Sequence, residues 1–216
     1  MDTVWCLIIL LSGIAIAAPN SKPSLPTLPI GTLLAQDVAH FLSVFKDFSK
    51  DSIKDVHYAY IGSSVFNQNF VEDFPCDQLK LHFDSLDAEM QYYSLSAARG
   101  VKSCAPKVSQ PNQLKDALQK EKLTVDQLYY LVSSANIAQV SINKEVVLKL
   151  LATFAAKETG PSGLSTILAT ASIVKGATSK ELEPFFHIVA KLVDQADEVD
   201  GSILFVTFNF ASHRKL

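Results

Sequence analysis

The sequence predicts an all-α protein built as an array of helical hairpins, in a solenoid or toroid-like arrangement. Hydrophobic residues make up 48% of the 216 residues and charged residues only 19%, which is typical of a globular chain with a large core. Runs of small residues also recur at a near-constant interval along the chain, and alternating strand patterns are almost absent. Together these observations favour stacked helices over a sheet.

The recurring runs begin at Tyr58, Tyr93, Tyr129 and Thr166, so the steps between them are 35, 36 and 37 residues. Self-similarity at this period is typical of helical-hairpin repeats. Small residues at helical spacing after each start allow a second helix to approach closely. A chance likeness among small-residue helices is the alternative. The predicted helix-packing motif consists of Tyr58, Gly62, Tyr93, Ala97, Tyr129 and Ser133.

The N-terminus has the pattern of a secretory signal peptide. Residues 5–17 are almost unbroken apolar sequence, and small residues precede a cleavage site that we place after Ala17. The first residues are atypical because they contain Asp2 and no lysine or arginine. An uncleaved anchor is the alternative, although 13 residues are short for a span that needs about 20. We expect a signal peptide over residues 1–17.

The remaining chain divides into three segments. Residues 18–31 hold four prolines and should form an extended leader that acts as a tether. Residues 32–205 should form the helical-repeat domain, and residues 206–216 a divergent tail. Capping residues, apolar stripes and Gly or Pro breaks predict helices over 32–48, 51–66, 75–83, 113–120, 124–138, 143–154, 164–175 and 179–193, and one opened by Ser85 that bears Tyr92 and Tyr93. Residues 105–112 are expected to be a loop, and residues 203–210 a possible strand.

Two cysteines, Cys76 and Cys104, remain after removal of the signal peptide. Export leads to an oxidising compartment, where an even pair of cysteines most often bridges. We therefore predict a Cys76–Cys104 disulfide, with two free buried thiols as the alternative.

Recognisable catalytic and metal-binding motifs are missing from the sequence. None of the five histidines pairs with another ligand at metal-binding spacing, and there is no nucleophile elbow or phosphate-binding loop. The acidic residues before Gly201 do not alternate as a calcium loop requires. The formal net charge of -3 and the lack of a basic patch argue against nucleic acid as a partner. We expect no cofactor, no metal site and no catalytic residues.

Several stretches carry a resemblance to a known family. They are Tyr58 to Ser64, the run from Tyr92 to Cys104 with Cys76 upstream, Gln127 to Ala135, Glu145 to Thr159, and Asp197 to Val199 with Gly201. The pattern resembles the N-terminal lumenal region of ribophorin II, a subunit of the oligosaccharyltransferase complex, over roughly residues 37–204. It is a diffuse pattern of small and aromatic residues.

The resemblance implies an α-helical array in the lumen of the endoplasmic reticulum that supports protein N-glycosylation through contacts with other oligosaccharyltransferase subunits. The transfer chemistry then resides in another subunit. The tail, residues 206–216, departs from the family, whose members continue into lumenal β domains and membrane helices. We therefore expect a truncated product, which would touch the membrane only through partners or a missing C-terminal region and would be secreted if unassembled. A secreted helical carrier of an apolar ligand is the alternative function, and a hydrolytic enzyme finds no support in the motifs.

Overall fold

The computed structural model describes residues 35–120, 122–185 and 187–188, and within them the protein is all-α, without a strand. This confirms the predicted fold class. The helices are α1 (Ala35–Lys46), α2 (Ile53–Val65), α3 (Cys76–Lys80), α4 (Ala88–Ala98), α5 (Pro111–Ala117), α6 (Val125–Ile137), α7 (Lys144–Ala155), α8 (Pro161–Ser172) and α9 (Ser179–Leu182), followed by a 3-10 turn, Glu183–Phe185.

Long helices pack side by side to form an inner layer. Helix α2 contacts α4, α4 contacts α6, and α6 contacts α8, while α1 packs on α2, and α3, α5 and α7 pack against this layer. The four inner helices begin at Ile53, Ala88, Val125 and Pro161, so their starts lie 35, 37 and 36 residues apart. The shape of the complete array, and its closure into a solenoid or a toroid, stay predictions.

The inner layer carries most of the core. In α4 every residue from Gln91 to Ala98 is buried, so this helix is covered on all sides. In α7 only one face is buried, at Val147, Leu151 and Ala155, which follow the four-residue spacing of a surface helix. The described array therefore has one fully enclosed helix, α4, in its inner layer and an amphipathic helix, α7, outside it.

Helix starts follow the capping residues in most cases. Ser52 accepts a hydrogen bond from the backbone N–H of Asp55, and Asn143 caps α7. Thr124 and Gln127 form a reciprocal capping box at the start of α6.

Several predicted helix boundaries were wrong, and the helix predicted over 75–83 already ends at Lys80. Helix α4 begins at Ala88 because the Asp87 side chain, not that of Ser85, accepts hydrogen bonds from the next turn. Helices α5 and α8 each begin at a proline, Pro111 and Pro161, because proline suits the first helical position and has no N–H to satisfy. Pro111 therefore belongs to α5 and not to the predicted loop over 105–112. The helices predicted over 113–120 and 164–175 also end earlier than expected, at Ala117 and Ser172.

A further error concerns the helix predicted over 179–193, for which the sequence offers Ser179 as the cap. Thr178 is the N-cap instead, and Glu181 completes a capping box with it. The α-helix then lasts only to Leu182, because Pro184 offers no N–H for the α-helical ladder and the chain tightens into a 3-10 turn. Residues 1–34 and 189–216 lie outside the described residues, and with them the predicted signal peptide, leader, strand and tail.

The predicted disulfide is present. Cys76 opens α3, Cys104 follows α4, and the Cα atoms of the two residues lie 5.4 Å apart. The backbone N–H of Lys102 donates to the carbonyl of Glu72 in the same region, and the Lys102 ammonium pairs with the Glu72 carboxylate at 2.9 Å. These contacts attach the segment before α3 to the end of α4.

Candidate functional site

All six residues of the predicted packing motif lie on the three inner helices α2, α4 and α6. Gly62, Ala97 and Ser133 are buried. A Cβ atom built on Gly62 would lie 2.2 Å from the Phe45 ring, so the absent side chain leaves room for a phenylalanine of α1. That the faces of small residues also set the distance between the long helices stays a prediction.

Five tyrosines meet across these three helices and form what we call the tyrosine cluster: Tyr58, Tyr92, Tyr93, Tyr129 and Tyr130. The hydroxyl of Tyr93 lies 3.1 Å from that of Tyr58 and 3.5 Å from that of Tyr130. The centroids of contacting rings lie 5.4 to 5.9 Å apart, the range of favourable aromatic pairs. Tyr129 contacts Tyr92 through its hydroxyl at 3.5 Å, so the contacts between α4 and α6 follow a step of 37 residues.

A histidine lies against the cluster. The His57 ring centroid is 4.8 Å from that of Tyr93, 5.0 Å from Tyr58 and 5.1 Å from Tyr92. The residue is 1% exposed, and its Nδ1 has no hydrogen-bond partner among the described residues. Burial, assisted by the charge of Lys54, lowers the pKa of His57 from 6.5 to about 3, so the ring is neutral at physiological pH.

An ion pair borders the tyrosine hydroxyls on one side. Tyr93 donates a hydrogen bond to Glu89 Oε1 at 2.6 Å, and Lys54 Nζ lies 3.3 Å from the same oxygen. Lys54 Nζ also lies 5.5 Å from the centroid of the Tyr93 ring. The hydrogen bond from Tyr93 is the main reason that the pKa of Glu89 lies below its usual range. Both charged side chains are about two-fifths exposed, so solvent weakens their attraction.

The protonation states of this group of residues are fixed near neutral pH. Burial is the main factor that raises the pKa of Tyr58 and Tyr93 and brings that of Tyr130 to about 12, so these hydroxyls keep their protons. His57 stays neutral and Glu89 stays ionised. A general acid or base works best with a pKa near the operating pH, which none of these groups has. The arrangement suits the joining of three helices better than proton transfer.

Sequence reasoning found Tyr58, Tyr93 and Tyr129 but missed the charged partners and His57. A signal for the ion pair was present, because Lys54 and Glu89 are separated by the same 35 residues as Tyr58 and Tyr93. The position of His57 gave no such signal, since burial of a histidine between helices cannot be read from spacing alone.

A small pocket lies between the α3–α4 loop, the start of α4, α5 and α6. Its volume is about 170 Å³, and Ala88, Leu114 and Leu131 are among the apolar residues that line it. Small-molecule sites usually measure about 300–1,000 Å³. The pocket is therefore too small for a typical apolar ligand and closer in size to a single side chain.

Two further properties concern metals and membranes. Among the described residues, no group of three or more histidine, cysteine, aspartate or glutamate side chains could hold a metal ion. Within the same part of the chain, no helix combines the length and the apolar character that a membrane span requires.

The fold and the site define the class of protein: an all-α array whose inner helices are joined by aromatic and hydroxyl contacts. The chain belongs to the Ribophorin II family, because the model of the Ribophorin II N-terminal domain matches residues 33–211. That match covers most of the chain and confirms the resemblance found in the sequence. Membership of this family suggests an accessory oligosaccharyltransferase subunit. No individual curated protein and no solved structure gives a significant match.

Proposed function

We propose that this chain is a non-catalytic subunit of the oligosaccharyltransferase complex that supports N-linked glycosylation in the lumen of the endoplasmic reticulum. The observation that carries the proposal is the family match over residues 33–211. The chain would act through contacts with other subunits and would reach the membrane through them. Transfer of the glycan would take place in a partner subunit.

The chemistry of the tyrosine cluster supports a scaffold role. Burial raises the pKa of Tyr58, Tyr93 and Tyr130 and lowers that of the adjacent His57, so these groups keep one protonation state through the neutral range. The contacts of the cluster connect α2, α4 and α6. An inner layer held in this way is preorganised. A partner that binds the outer helices therefore does not have to supply free energy to order the helices beneath.

The outer helices supply exposed surface for such contacts. On α7 the buried face is opposed by Lys149, Ala152 and Thr153, all exposed. Stacked helical hairpins typically use extended surfaces of this kind to bind other proteins.

The alternative function, transport of an apolar ligand, has less support. The tyrosines and His57 that could line a ligand cavity contact one another instead. The pocket beside α5 holds about 170 Å³, which is below the usual range for a carried ligand. Solvent extraction of the purified protein, followed by mass spectrometry, would reveal a bound lipid if the carrier hypothesis were correct.

The decisive experiment is co-purification from detergent extracts. An affinity-tagged chain expressed in cells should bring down the catalytic oligosaccharyltransferase subunit. A matched control is the Leu95→Asp variant, which places a charge at a fully buried position of α4 and should abolish both folding and co-purification. The proposal fails if the folded chain, with its disulfide intact on non-reducing gels, resides in the lumen and never co-purifies with the catalytic subunit.

A further inference from the structure

One exposed leucine stands directly beside the pocket at α5. Leu86, in the loop before α4, is 80% exposed and forms part of the pocket mouth. Exposing a large apolar side chain has a free-energy cost that a covering surface removes. A cavity of about 150 Å³ is known to hold one benzene molecule, so the pocket of about 170 Å³ can take one leucine side chain. The same surface thus presents both a knob and a hole of matching size.

The rim of the pocket carries one charge of each sign. Asp116 and Lys120 both line it and are both exposed, and neither forms an ion pair with another described residue. Asp116 lies at the end of α5, and Lys120 lies three residues beyond the last residue of that helix. If two copies of α5 ran antiparallel, the acid of each copy would face the base of the other.

The pocket walls are held in place by strong contacts. Asp84 accepts hydrogen bonds from the backbone N–H groups of Ser109 and Gln110, both at 2.9 Å, and from the Ser109 hydroxyl at 2.6 Å. These contacts fix the loop that carries Leu86 to the start of α5. The surface is therefore preformed, and binding would require little ordering.

We propose that this surface, made of Leu86, the pocket, Asp116 and Lys120, binds a second copy of the same chain across a two-fold axis. Leu86 of each copy fills the pocket of the other, and two Asp116–Lys120 ion pairs form between the copies. A two-fold interface must be self-complementary, and this patch holds both halves of each contact. The contact is small compared with the about 1,200–2,000 Å² of a stable complex, so the dimer is weak and forms at high concentration.

Sedimentation velocity of the purified chain between about 5 μM and 1 mM tests the proposal, since weak association lies in this range. The mean mass should rise towards that of a dimer with concentration. The Leu86→Asp variant should weaken the association at least about tenfold, because each copy loses one buried leucine. The matched control is Leu81→Asp, since Leu81 lies in the same loop, is 79% exposed and does not line the pocket.

A charge exchange tests the geometry of the pairing. Asp116→Lys and Lys120→Asp should each weaken the dimer by bringing like charges together, and the double variant should restore it. Circular dichroism should show unchanged helix content in all variants.

The proposal is overturned if the chain is monomeric throughout the concentration range, or if Leu81→Asp weakens association as much as Leu86→Asp. It is equally overturned if a photo-crosslinker at position 86 captures only a different polypeptide, because the pocket then serves that partner. The proposed role in glycosylation does not depend on these outcomes, since it is tested by co-purification with the catalytic subunit.

Discussion

His57 should make the stability of this protein depend on pH in the mildly acidic range. Its pKa is about 3 in the folded protein and 6.5 when exposed. Below pH 6.5 the unfolded chain binds a proton at His57 that the folded protein does not bind, so the free energy of unfolding falls as pH falls. The stability that the folded protein gains by holding His57 neutral is fully present above pH 6.5 and is progressively lost as the pH falls towards 3.

The size of the effect follows from the pKa shift. Each pH unit between the two values is worth about 1.4 kcal/mol, so acidification from pH 7.5 to pH 5 should cost about 2 kcal/mol through His57 alone. That is a large part of the roughly 5–15 kcal/mol by which domains are stable. At pH 5 most carboxylates remain ionised, which separates the histidine effect from that of groups such as Glu89.

Urea titrations at several pH values provide the assay. His57→Phe keeps a buried ring and sacrifices no hydrogen bond at Nδ1, so stability at pH 7.5 should change by less than about 1 kcal/mol. The variant should lose about 2 kcal/mol less than the wild type on acidification. His40→Gln, at an exposed position, should retain the wild-type dependence. Parallel curves for the wild type and His57→Phe would refute the reasoning.

Three other substitutions should change the free energy of unfolding, measured in the same urea assay at pH 7.5. Replacing both Cys76 and Cys104 by serine should cost about 3 kcal/mol because the unfolded chain loses a cross-link over 28 positions; equal stability of oxidised and reduced wild type would contradict this. Gly62→Ala should cost about 1–3 kcal/mol through its clash with the Phe45 ring, and a Phe45→Leu background should reduce that cost. Tyr93→Phe should cost about 1–2 kcal/mol by removing the hydroxyl that donates to a carboxylate; a neutral result would mean that water replaces the bond at no cost.

Local signals in the sequence were sufficient for the helical architecture. Capping side chains at Thr124 and Asn143 predicted two helix starts within one residue, because they act on backbone groups only two or three positions away. The errors at Ser85 and Ser179 arose where another capping residue lay one or two positions away. Either side chain can cap in isolation, and tertiary packing decides between them.

The candidate site was only partly predictable for a different reason. The interval of 35 residues indicated that Tyr58 and Tyr93 occupy equivalent places, but it could not show that Tyr93 meets Tyr130 instead of Tyr129. A change of one residue rotates a helix by about 100°, which decides whether a hydroxyl points towards its neighbour. The long-range contacts of Gly62 and His57 likewise depend on where α1 and the inner helices meet.

The division between inner and outer residues predicts two distinguishable ways to lose function. Tyr93 lies within the inner layer, so its substitution should reduce the amount of folded protein and weaken every partner contact together. Leu86 is exposed and contributes little to the fold, so Leu86→Asp should leave abundance and helix content unchanged and affect only contacts made at the pocket. Co-purification normalised to the amount of folded chain separates the two. If Leu86→Asp preserved self-association but lowered abundance as Tyr93→Phe does, the leucine would belong to the core and the assignment of an outer contact surface would fail.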